Sequence, residues 1–448
     1  MGKSFAVLGR AFYSNDFDNI NYIDKGLFCV DDRGYIENVI KSTDLEYENA
    51  VNAYKKENTL YELGDNEVIL PGFVDLHIHA PQWAQSGTAL DRPLEVWLTE
   101  YTFPLEAKYR DLDFADKVYN DVVRTTLYSG TTTAVYFATV DREPSVRLAE
   151  ICGELGQRAF VGKVVMDEKE ANPGYCCDES ADSAVSETEK FIEELSGLEG
   201  KYSQGVYPVI TPRFIPSCST ECLEKLGDLA KNKKLHIQTH CSESDWEHNF
   251  AKEKYNMSDA KALNKFGFIT DKTILAHAPF LEEEDVKLVA SKGASIAHCP
   301  LSNAYFAGAV LPLKEFYSKG VNIGLATDIS GGYCPNLYSA IRQAVISSRM
   351  LNDGVDPSLD KDMRGRKESS VSLNNAFYCA TIGGGKALGL PLGKLEKGYS
   401  FDIQVLDISK GLPLYYPEKR EEELLHKILL LSNENNISQV WVQGKRVK

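Results

Sequence analysis

Two histidines separated by one residue follow an apolar run near the start of the chain, and this spacing could supply two ligands to one metal ion. His77 and His79 end the segment Pro-Gly-Phe-Val-Asp-Leu-His-Ile-His at 71–79. Side chains of a β-strand alternate between its two faces, so residues two apart point the same way. Both imidazoles could therefore reach one cation, although a polar strand face that carries two histidines is the alternative for this spacing taken alone.

Three more apolar segments end in a residue that can bind a metal or carry a proton. His240 ends the segment 235–240, His277 ends Thr273–His277, and Asp328 ends 322–328. Each is unremarkable by itself, because a buried histidine is often only hydrogen-bonded and an aspartate after a strand is often a helix N-cap. Four strands that all end in histidine or aspartate are hard to explain by coincidence. Three histidines and a carboxylate with an open position form a ligand set for a catalytic divalent ion.

Glu243 lies three residues after His240, in the turn that should follow the strand. A carboxylate in that turn can reach a metal ion bound at the end of the strand. The alternative is a solvated turn residue that takes no part in chemistry. The position makes Glu243 a candidate for a residue of the metal site.

The elements that must position these residues alternate between short apolar strands and amphipathic helices from about residue 67 to 384. The predicted strands are 68–79, 131–138, 158–166, 206–211, 235–240, 273–277, 294–298 and 322–327, and the predicted helices include 114–128, 145–155, 183–195, 220–231 and 282–292. Eight strands that alternate with helices favour a closed parallel barrel. The interval from His79 to Asp328 is close to the ~250 residues typical of a (β/α)8 fold, whose active sites lie at the carboxyl ends of the strands.

Both ends of the chain read as short strands and turns. The segments 4–12, 26–30, 36–39, 401–406 and 437–442 are apolar or alternating. We therefore predict an α/β protein with two parts. One is a distorted (β/α)8 barrel over residues 67–384, and the other is a small β-sandwich built from residues 1–66 and 385–448.

Composition and charge narrow the classes of function. The chain has 49 Lys and Arg against 65 Asp and Glu, a net charge of −16. So acidic a surface repels phosphate backbones and anionic lipid, which makes nucleic-acid polymers and membranes poor partners. Ten cysteines without a CxxC pair fit reduced thiols in a cytosol. Without a signal-peptide pattern, and with no stretch near the ~18 apolar residues of a membrane span, we expect a cytoplasmic protein.

Further segments carry a resemblance to a known family. They are Gln82, residues 91–98 (Asp-Arg-Pro-Leu-Glu-Val-Trp-Leu), 101–104, 211–214 (Thr-Pro-Arg-Phe), 217–219, 298–300, 302–303, 393–398 and Asp402. With these segments the chain resembles the amidohydrolase superfamily and, within it, the guanine deaminase family, over most of its length. The residues Trp83, Ala84 and 304–306 depart from the family pattern and leave the fine substrate preference open.

The resemblance implies a role for each candidate residue. It implies that His77, His79, His240 and Asp328 bind one metal ion, that Asp328 also takes the proton of the attacking water, that His277 contacts that water, that Glu243 is the proton shuttle, and that Gln82, Arg213 and Phe214 hold the base. Zinc is the expected metal, and Fe2+ also suits such a ligand set. The fourth strand ends at Arg213 and offers no lysine for carbamylation, so a bridged two-metal site is not expected.

The activity that the resemblance implies is hydrolysis of guanine to xanthine and ammonia, in purine catabolism, by a cytoplasmic enzyme. A homodimer is expected from the family and from the frequency of such assemblies. The alternative is another deaminase or chlorohydrolase of this fold that acts on an aminated purine, pterin or triazine, because the metal motifs do not separate these enzymes. A non-catalytic relative would usually have lost metal ligands, and here all are present together with Glu243.

Overall fold

The structure is a computed structural model that describes residues 3–198, 200–415 and 420–448. Its strands are β1 Phe5–Ser14, β2 Ile20–Val30, β3 Ile36–Lys41, β4 Leu60–Glu62, β5 Glu67–Pro71, β6 Phe73–His79, β7 Thr131–Phe137, β8 Arg158–Gly162, β9 Val164–Val165, β10 Val206–Pro212, β11 His236–Cys241, β12 Thr273–His277, β13 Ser295–His298, β14 Asn322–Leu325, β15 Ile403–Asp407, β16 Ile437–Val442 and β17 Lys445–Arg446.

Its α-helices surround these strands. They are α1 Tyr47–Lys56, α2 Leu94–Trp97, α3 Phe103–Glu106, α4 Leu112–Tyr128, α5 Arg142–Leu155, α6 Ala181–Ser196, α7 Thr220–Lys233, α8 Asp245–Tyr255, α9 Asp259–Lys265, α10 Glu283–Lys292, α11 Pro300–Ser302, α12 Leu313–Ser318, α13 Leu337–Asp353, α14 Leu373–Tyr378, α15 Gly384–Ala387 and α16 Glu421–Leu431. The long helices begin at the capping residues that their sequences offer. Ser180, Ser219 and Asn336 each accept a hydrogen bond from a backbone N–H in the first turn.

Eight strands form the predicted parallel barrel. Their order is β6-β7-β8-β10-β11-β12-β13-β14, with β9 paired to β10. Backbone hydrogen bonds bring the two ends of this sheet together, from Asp328 N–H to His77 O at 2.9 Å and from His79 N–H to Ile329 O at 2.8 Å. Every residue of β6 and β7 is buried, as expected for strands covered on both faces. The predicted (β/α)8 architecture is confirmed.

A separate sheet unites both ends of the chain, as predicted. Its order is β17-β16-β15-β5-β1-β2-β3, with β4 paired to β1. Apolar residues line both of its faces. Val7, Ile69 and Ile403 pack in one cluster, and Leu27 packs with Val51 of α1 in another. The division of the chain into residues 1–66 with 385–448 and residues 67–384 remains a prediction.

One predicted strand is in fact two strands in two different sheets. The apolar run 68–79 breaks at Gly72, so that β5 joins the terminal sheet and β6 enters the barrel. Gly72 donates its N–H to Asp402 O at 2.9 Å, and a Cβ at this position would lie 2.2 Å from Thr132 Oγ1. Only glycine permits this close approach. No helix of the described residues is long and apolar enough to cross a membrane.

Candidate metal centre and substrate pocket

The four predicted metal ligands converge at the carboxyl end of the barrel. His77 and His79 end β6, His240 lies near the end of β11, and Asp328 follows β14. His79 Nε2 and His240 Nε2 are 3.1 Å apart, and Asp328 Oδ1 lies 3.2 Å from His77 Nε2 and 3.7 Å from His79 Nε2. Nitrogen ligands bound to one zinc ion at ~2 Å lie roughly 3 Å from one another. The spacing therefore suits a single ion.

The chemistry of these side chains also fits a cation. Burial lowers the pKa values of His77, His79 and His240 well below the ordinary histidine value, so each ring is neutral and keeps a lone pair. His77 Nε2 makes no hydrogen bond although it is buried. Burial also raises the pKa of Asp328. Buried neutral rings facing a carboxyl group form a site short of positive charge, which a divalent ion would supply.

Hydrogen bonds at Nδ1 fix the orientation of two histidine rings. His240 Nδ1 lies 2.7 Å from the Arg213 carbonyl oxygen, and His277 Nδ1 lies 3.0 Å from Asn303 Oδ1. A ring nitrogen that donates to a carbonyl oxygen leaves Nε2 unprotonated in the neutral tautomer. Nε2 of both rings therefore faces the centre as an acceptor. Cys299 lies near the same centre, but burial raises the pKa of its thiol and its Sγ faces Ala297 O at 3.4 Å.

Asp75 connects the first strand to the last one. Its carboxylate accepts hydrogen bonds from Thr327 Oγ1 at 2.6 Å, from Thr327 N–H at 3.1 Å and from His77 N–H at 3.2 Å. Burial raises the pKa of Asp75 to about 7, although these hydrogen bonds oppose the rise. Asp328, next to Thr327, adopts the left-handed backbone with φ of 49°. Asp75 therefore holds the turn that aims Asp328 at the histidines.

Glu243 and His277 lie beside the candidate ligands. Glu243 Oε1 is 3.6 Å from His277 Nε2, and Asp328 Oδ2 is 3.8 Å from the same nitrogen. Burial raises the pKa of Glu243 well above its usual range, and the nearby Asp328 carboxylate raises it further. A carboxyl group that stays protonated near neutral pH can donate a proton. Glu243 is thus buried at the centre and is not a solvated turn residue.

A pocket opens above these residues. Its lining residues are His79, Gln82, Leu94, Trp97, Leu98, Arg213, Phe214, His240, Glu243, Phe306, Asp328 and Gly331. All three predicted base-holding residues are among them. Trp97 and Phe214 face the pocket, whereas Trp83 lies outside it and donates its indole N–H to Asp121 Oδ2 at 2.7 Å. Phe306, in the segment that departs from the family pattern, is also in the lining.

Glu106 bonds to two residues of the pocket lining and was missed by the sequence reasoning. Arg213 Nη1 donates to Glu106 Oε2 at 2.7 Å, and Nη2 donates to Oε1 at 3.1 Å. Gln82 Nε2 donates to Glu106 Oε1, and Gln82 Oε1 accepts from Ser330 N–H, both at 3.3 Å. One buried carboxylate therefore orients both predicted base-binding side chains. The only sequence signal was its position just after the family segment 101–104.

Comparison with known proteins identifies the family of this chain. The pattern of the amidohydrolase family matches residues 68–447. The guanine deaminase of Homo sapiens is 40% identical over 396 residues, which cover 86% of this chain and 84% of that protein. The guanine deaminase of Dictyostelium discoideum is 32% identical over 456 residues, or 98% of this chain and 97% of that protein.

A crystal structure supports the same relationship over the whole molecule. Guanine deaminase from C. acetobutylicum, with guanine bound in its active site, superposes with a TM-score of 0.88 at 30% identity, and the match covers 99% of this chain and 100% of that one. The chain therefore belongs to the amidohydrolase family, in the group of the guanine deaminases.

Proposed function

We propose that this protein hydrolyses the 2-amino group of guanine to give xanthine and ammonia, as a step of purine catabolism. The observation that carries the proposal is the position of Glu243 and of the His-and-Asp donor set directly below a pocket that contains a buried Arg213. The 40% identity with a guanine deaminase and the structural likeness to one that holds guanine support this substrate.

In this proposal His77, His79, His240 and Asp328 hold one divalent ion. Zinc is the expected identity because three neutral imidazoles and a carboxylate are common zinc ligands, and Fe2+ suits the same set. When bound, such an ion lowers the pKa of water towards ~7 and so supplies a nucleophile at neutral pH. Glu243 is buried beside this donor set, where desolvation favours the protonated form of its carboxyl group and suits it to give a proton.

The protein side chains then move the protons. The oxygen of the attacking water bonds to C2 of guanine while its proton passes to a carboxylate oxygen of Asp328. Nε2 of His277 accepts a hydrogen bond from that water and orients it. Glu243 gives its proton to the ring nitrogen beside C2. The ionised Glu243 then takes the proton of the new C2–OH group and gives it to the amine, so that the C2–N bond breaks, the C2 carbonyl forms and ammonia leaves. The proton held by Asp328 passes to Glu243, which restores both side chains.

Three residues of the pocket lining, Gln82, Arg213 and Phe214, hold the base in this proposal. Arg213 bonds to Glu106 through Nη1 and Nη2 and keeps further N–H donors for the acceptors of a purine, namely a carbonyl oxygen and ring nitrogens. Gln82 can donate and accept. Phe214 packs beside the base, with its ring centroid 6.1 Å from that of His240. A site with these donors should reject analogues that lack the matching acceptors.

The remaining expectations are part of the same proposal. We infer a cytoplasmic homodimer with a small-molecule substrate and without a nucleic-acid or membrane partner, divided into a barrel of residues 67–384 and a composite terminal domain. Ten free cysteines and a net charge of −16 support a reducing compartment and a neutral substrate. Light scattering of the purified protein tests the dimer.

The decisive experiment is an assay of xanthine production from guanine, with and without a chelator, together with metal analysis. We expect turnover that chelation abolishes and that zinc restores, with about one ion per chain. A panel of aminated purines, pterins and triazines with ammonia detection tests the alternative substrates. Faster turnover of another member of that panel would replace guanine as the substrate.

Two variants test the residue roles. Glu243→Gln should retain the metal but lower kcat by orders of magnitude, because an amide cannot give up the proton. Arg213→Ala should raise the KM for guanine. Near-normal turnover of Glu243→Gln, or an unchanged KM in Arg213→Ala, would remove that residue from its proposed role.

A further inference from the structure

The backbone of the turn that carries Glu243 is held by two buried carboxyl groups. Ser242 donates its N–H to Asp259 Oδ2 at 2.5 Å, and Glu243 donates its N–H to Glu247 Oε2 at 2.6 Å. Ser242 has a φ of 51°, a left-handed conformation that a serine adopts only when its surroundings hold it there. The turn therefore depends on two side chains that lie outside the substrate pocket.

These two carboxyl groups lie side by side, because they accept from the N–H groups of two consecutive residues. The exposed fractions of Glu247 and Asp259 are 1% and 0%. No N–H or O–H group of another described residue donates to Glu247 Oε1 or Asp259 Oδ1. Two ionised carboxylates can only accept hydrogen bonds, so a contact between them requires one proton.

The surroundings favour this singly protonated pair. Burial raises the pKa of Glu247 well above its usual range and that of Asp259 to about 7. The charge of Asp285 raises the pKa of Asp259 further, while the Ser242 N–H and the Cys241 thiol lower it. The charge of Glu243 raises the pKa of Glu247. Asp285 itself accepts hydrogen bonds from Ser258 Oγ at 2.5 Å and Glu282 N–H at 3.1 Å.

We propose that Glu247 and Asp259, joined by one shared proton, are positioning residues that hold the Ser242–Glu243 backbone so that the Glu243 carboxyl reaches the reacting atoms. The inference rests on the proposed function, in which Glu243 is the proton shuttle. A carboxyl displaced by about 1 Å can lose ~100-fold in rate. The pair thus determines the precision of proton transfer without touching the substrate.

Ordinary helix capping does not account for this arrangement. Glu247 is the third residue of α8, whose N-cap Ser244 bonds to Glu247 N–H. In a capping box the side chain of the third residue would accept from the N-cap N–H. Here it accepts from the N–H of Glu243, one residue earlier, and its other oxygen accepts no hydrogen bond from an N–H or O–H group of the described residues.

Replacing carboxyl groups by amides tests the shared proton. In Glu247→Gln the amide oxygen can accept from Glu243 N–H while the NH2 group donates to Asp259, and Asp259→Asn is the mirror case. Each single amide should keep kcat within about threefold of wild type. In the double variant both oxygens must face backbone N–H groups, so the two NH2 groups oppose each other. We expect kcat to fall about 10- to 100-fold, with KM within about twofold.

The control is Asp402→Asn, which alters a buried carboxylate far from this turn and should lower the melting temperature while leaving kcat unchanged. Glu247→Leu is a second disruptive variant, in case the double amide does not fold, and the same loss of kcat is expected. Metal content and thermal unfolding are measured for every variant, and kcat is expressed per metal-loaded enzyme.

The outcomes separate this inference from the proposed function. If wild type with bound metal does not turn over guanine, the proposed function fails. If wild type is active but the double amide and Glu247→Leu match the single amides, the positioning role is wrong. Loss of kcat in either single amide would also overturn it, because one shared proton predicts that both are tolerated.

Discussion

Two arginine–carboxylate pairs lie buried among the residues that the structure describes, and they differ in how many N–H donors the arginine keeps free for a ligand. Arg213 pairs with Glu106 at the pocket, with side-chain exposures of 2% and 1%. Arg158 pairs with Asp402 between the barrel and the terminal sheet, with exposures of 3% and 2%. Burial and charge are therefore matched, and only the remaining contacts distinguish the pairs.

The remaining donors of the two arginines have different partners. Arg158 also donates to Thr133 Oγ1 at 3.1 Å, Ser400 Oγ at 3.1 Å and Gln443 Oε1 at 2.9 Å, so its fork is occupied by protein. Arg213 bonds to Glu106, contacts Met166 Sδ at 3.7 Å and lines the pocket. An arginine whose Nη1 and Nη2 groups both bond only to protein joins two parts of a fold, whereas one with donors to spare at a pocket can bind a ligand.

Glu106→Ala should have the largest effect, because it leaves the Arg213 guanidinium buried without its partner and frees Gln82 as well. We expect kcat/KM for guanine to fall about 100-fold or more, mainly through KM, since the loss of one member of a buried pair costs about 2–5 kcal/mol in binding. Steady-state kinetics measure this effect. An unchanged KM would show that Glu106 does not orient the base-binding side chains.

Asp402→Ala should affect stability and spare catalysis. Breaking a buried pair costs about 3–5 kcal/mol, which urea or thermal unfolding would report. The kcat and KM for guanine should stay within about twofold of wild type at a temperature where the variant is folded. A rise in KM like that of Glu106→Ala would abolish the distinction between the two pairs.

Replacing either arginine by lysine should give an intermediate effect, on KM for Arg213 and on stability for Arg158. Lysine keeps the charge but loses the planar fork that binds both carboxylate oxygens. Arg213→Lys should raise KM about 10-fold, and Arg158→Lys should lower the free energy of unfolding by about 1–2 kcal/mol without changing KM. Steady-state kinetics and unfolding are measured for both variants, so that each serves as the control for the other. Equal KM values in the two variants would contradict the role of Arg213 in binding the base.

Added salt should have the smallest effect on the KM for guanine. Added NaCl screens exposed ion pairs, such as Arg33–Asp31, much more than buried ones, and guanine carries no net charge near neutral pH. Raising NaCl from about 0.05 to 0.5 M should therefore change KM less than about twofold. A strong salt dependence would indicate that water reaches the Arg213–Glu106 pair.

The sequence was sufficient for the parts of the site that lie on strand ends. The alternation of side chains on a strand predicted that His77 and His79 share a face, and the structure puts their ligand atoms beside those of His240 and Asp328. The alternation of strands and helices predicted the barrel. These signals are local, since each strand carries its own ligand and the barrel brings the strand ends together.

The sequence did not reveal the break at Gly72 or the partners of the buried acids. An apolar run looks the same whether it forms one strand or two, and only the approach of Thr132 and Asp402 explains why the chain changes sheets there. Glu106 and Glu247 are two of 65 acidic residues, and the sequence around each one does not predict which group its carboxylate contacts.

The sequence by itself thus determined the donor types, the strand ends that present them and the class of barrel, because periodicity and motif spacing act over a few residues. Only the tertiary structure decided which carboxyl groups are buried and which group each one contacts. Glu106 bonds to Arg213, Glu247 accepts from Glu243 N–H, and Asp402 bonds to Arg158. Burial makes an unpaired charge costly, so these pairings are set by the packing of segments far apart in the chain.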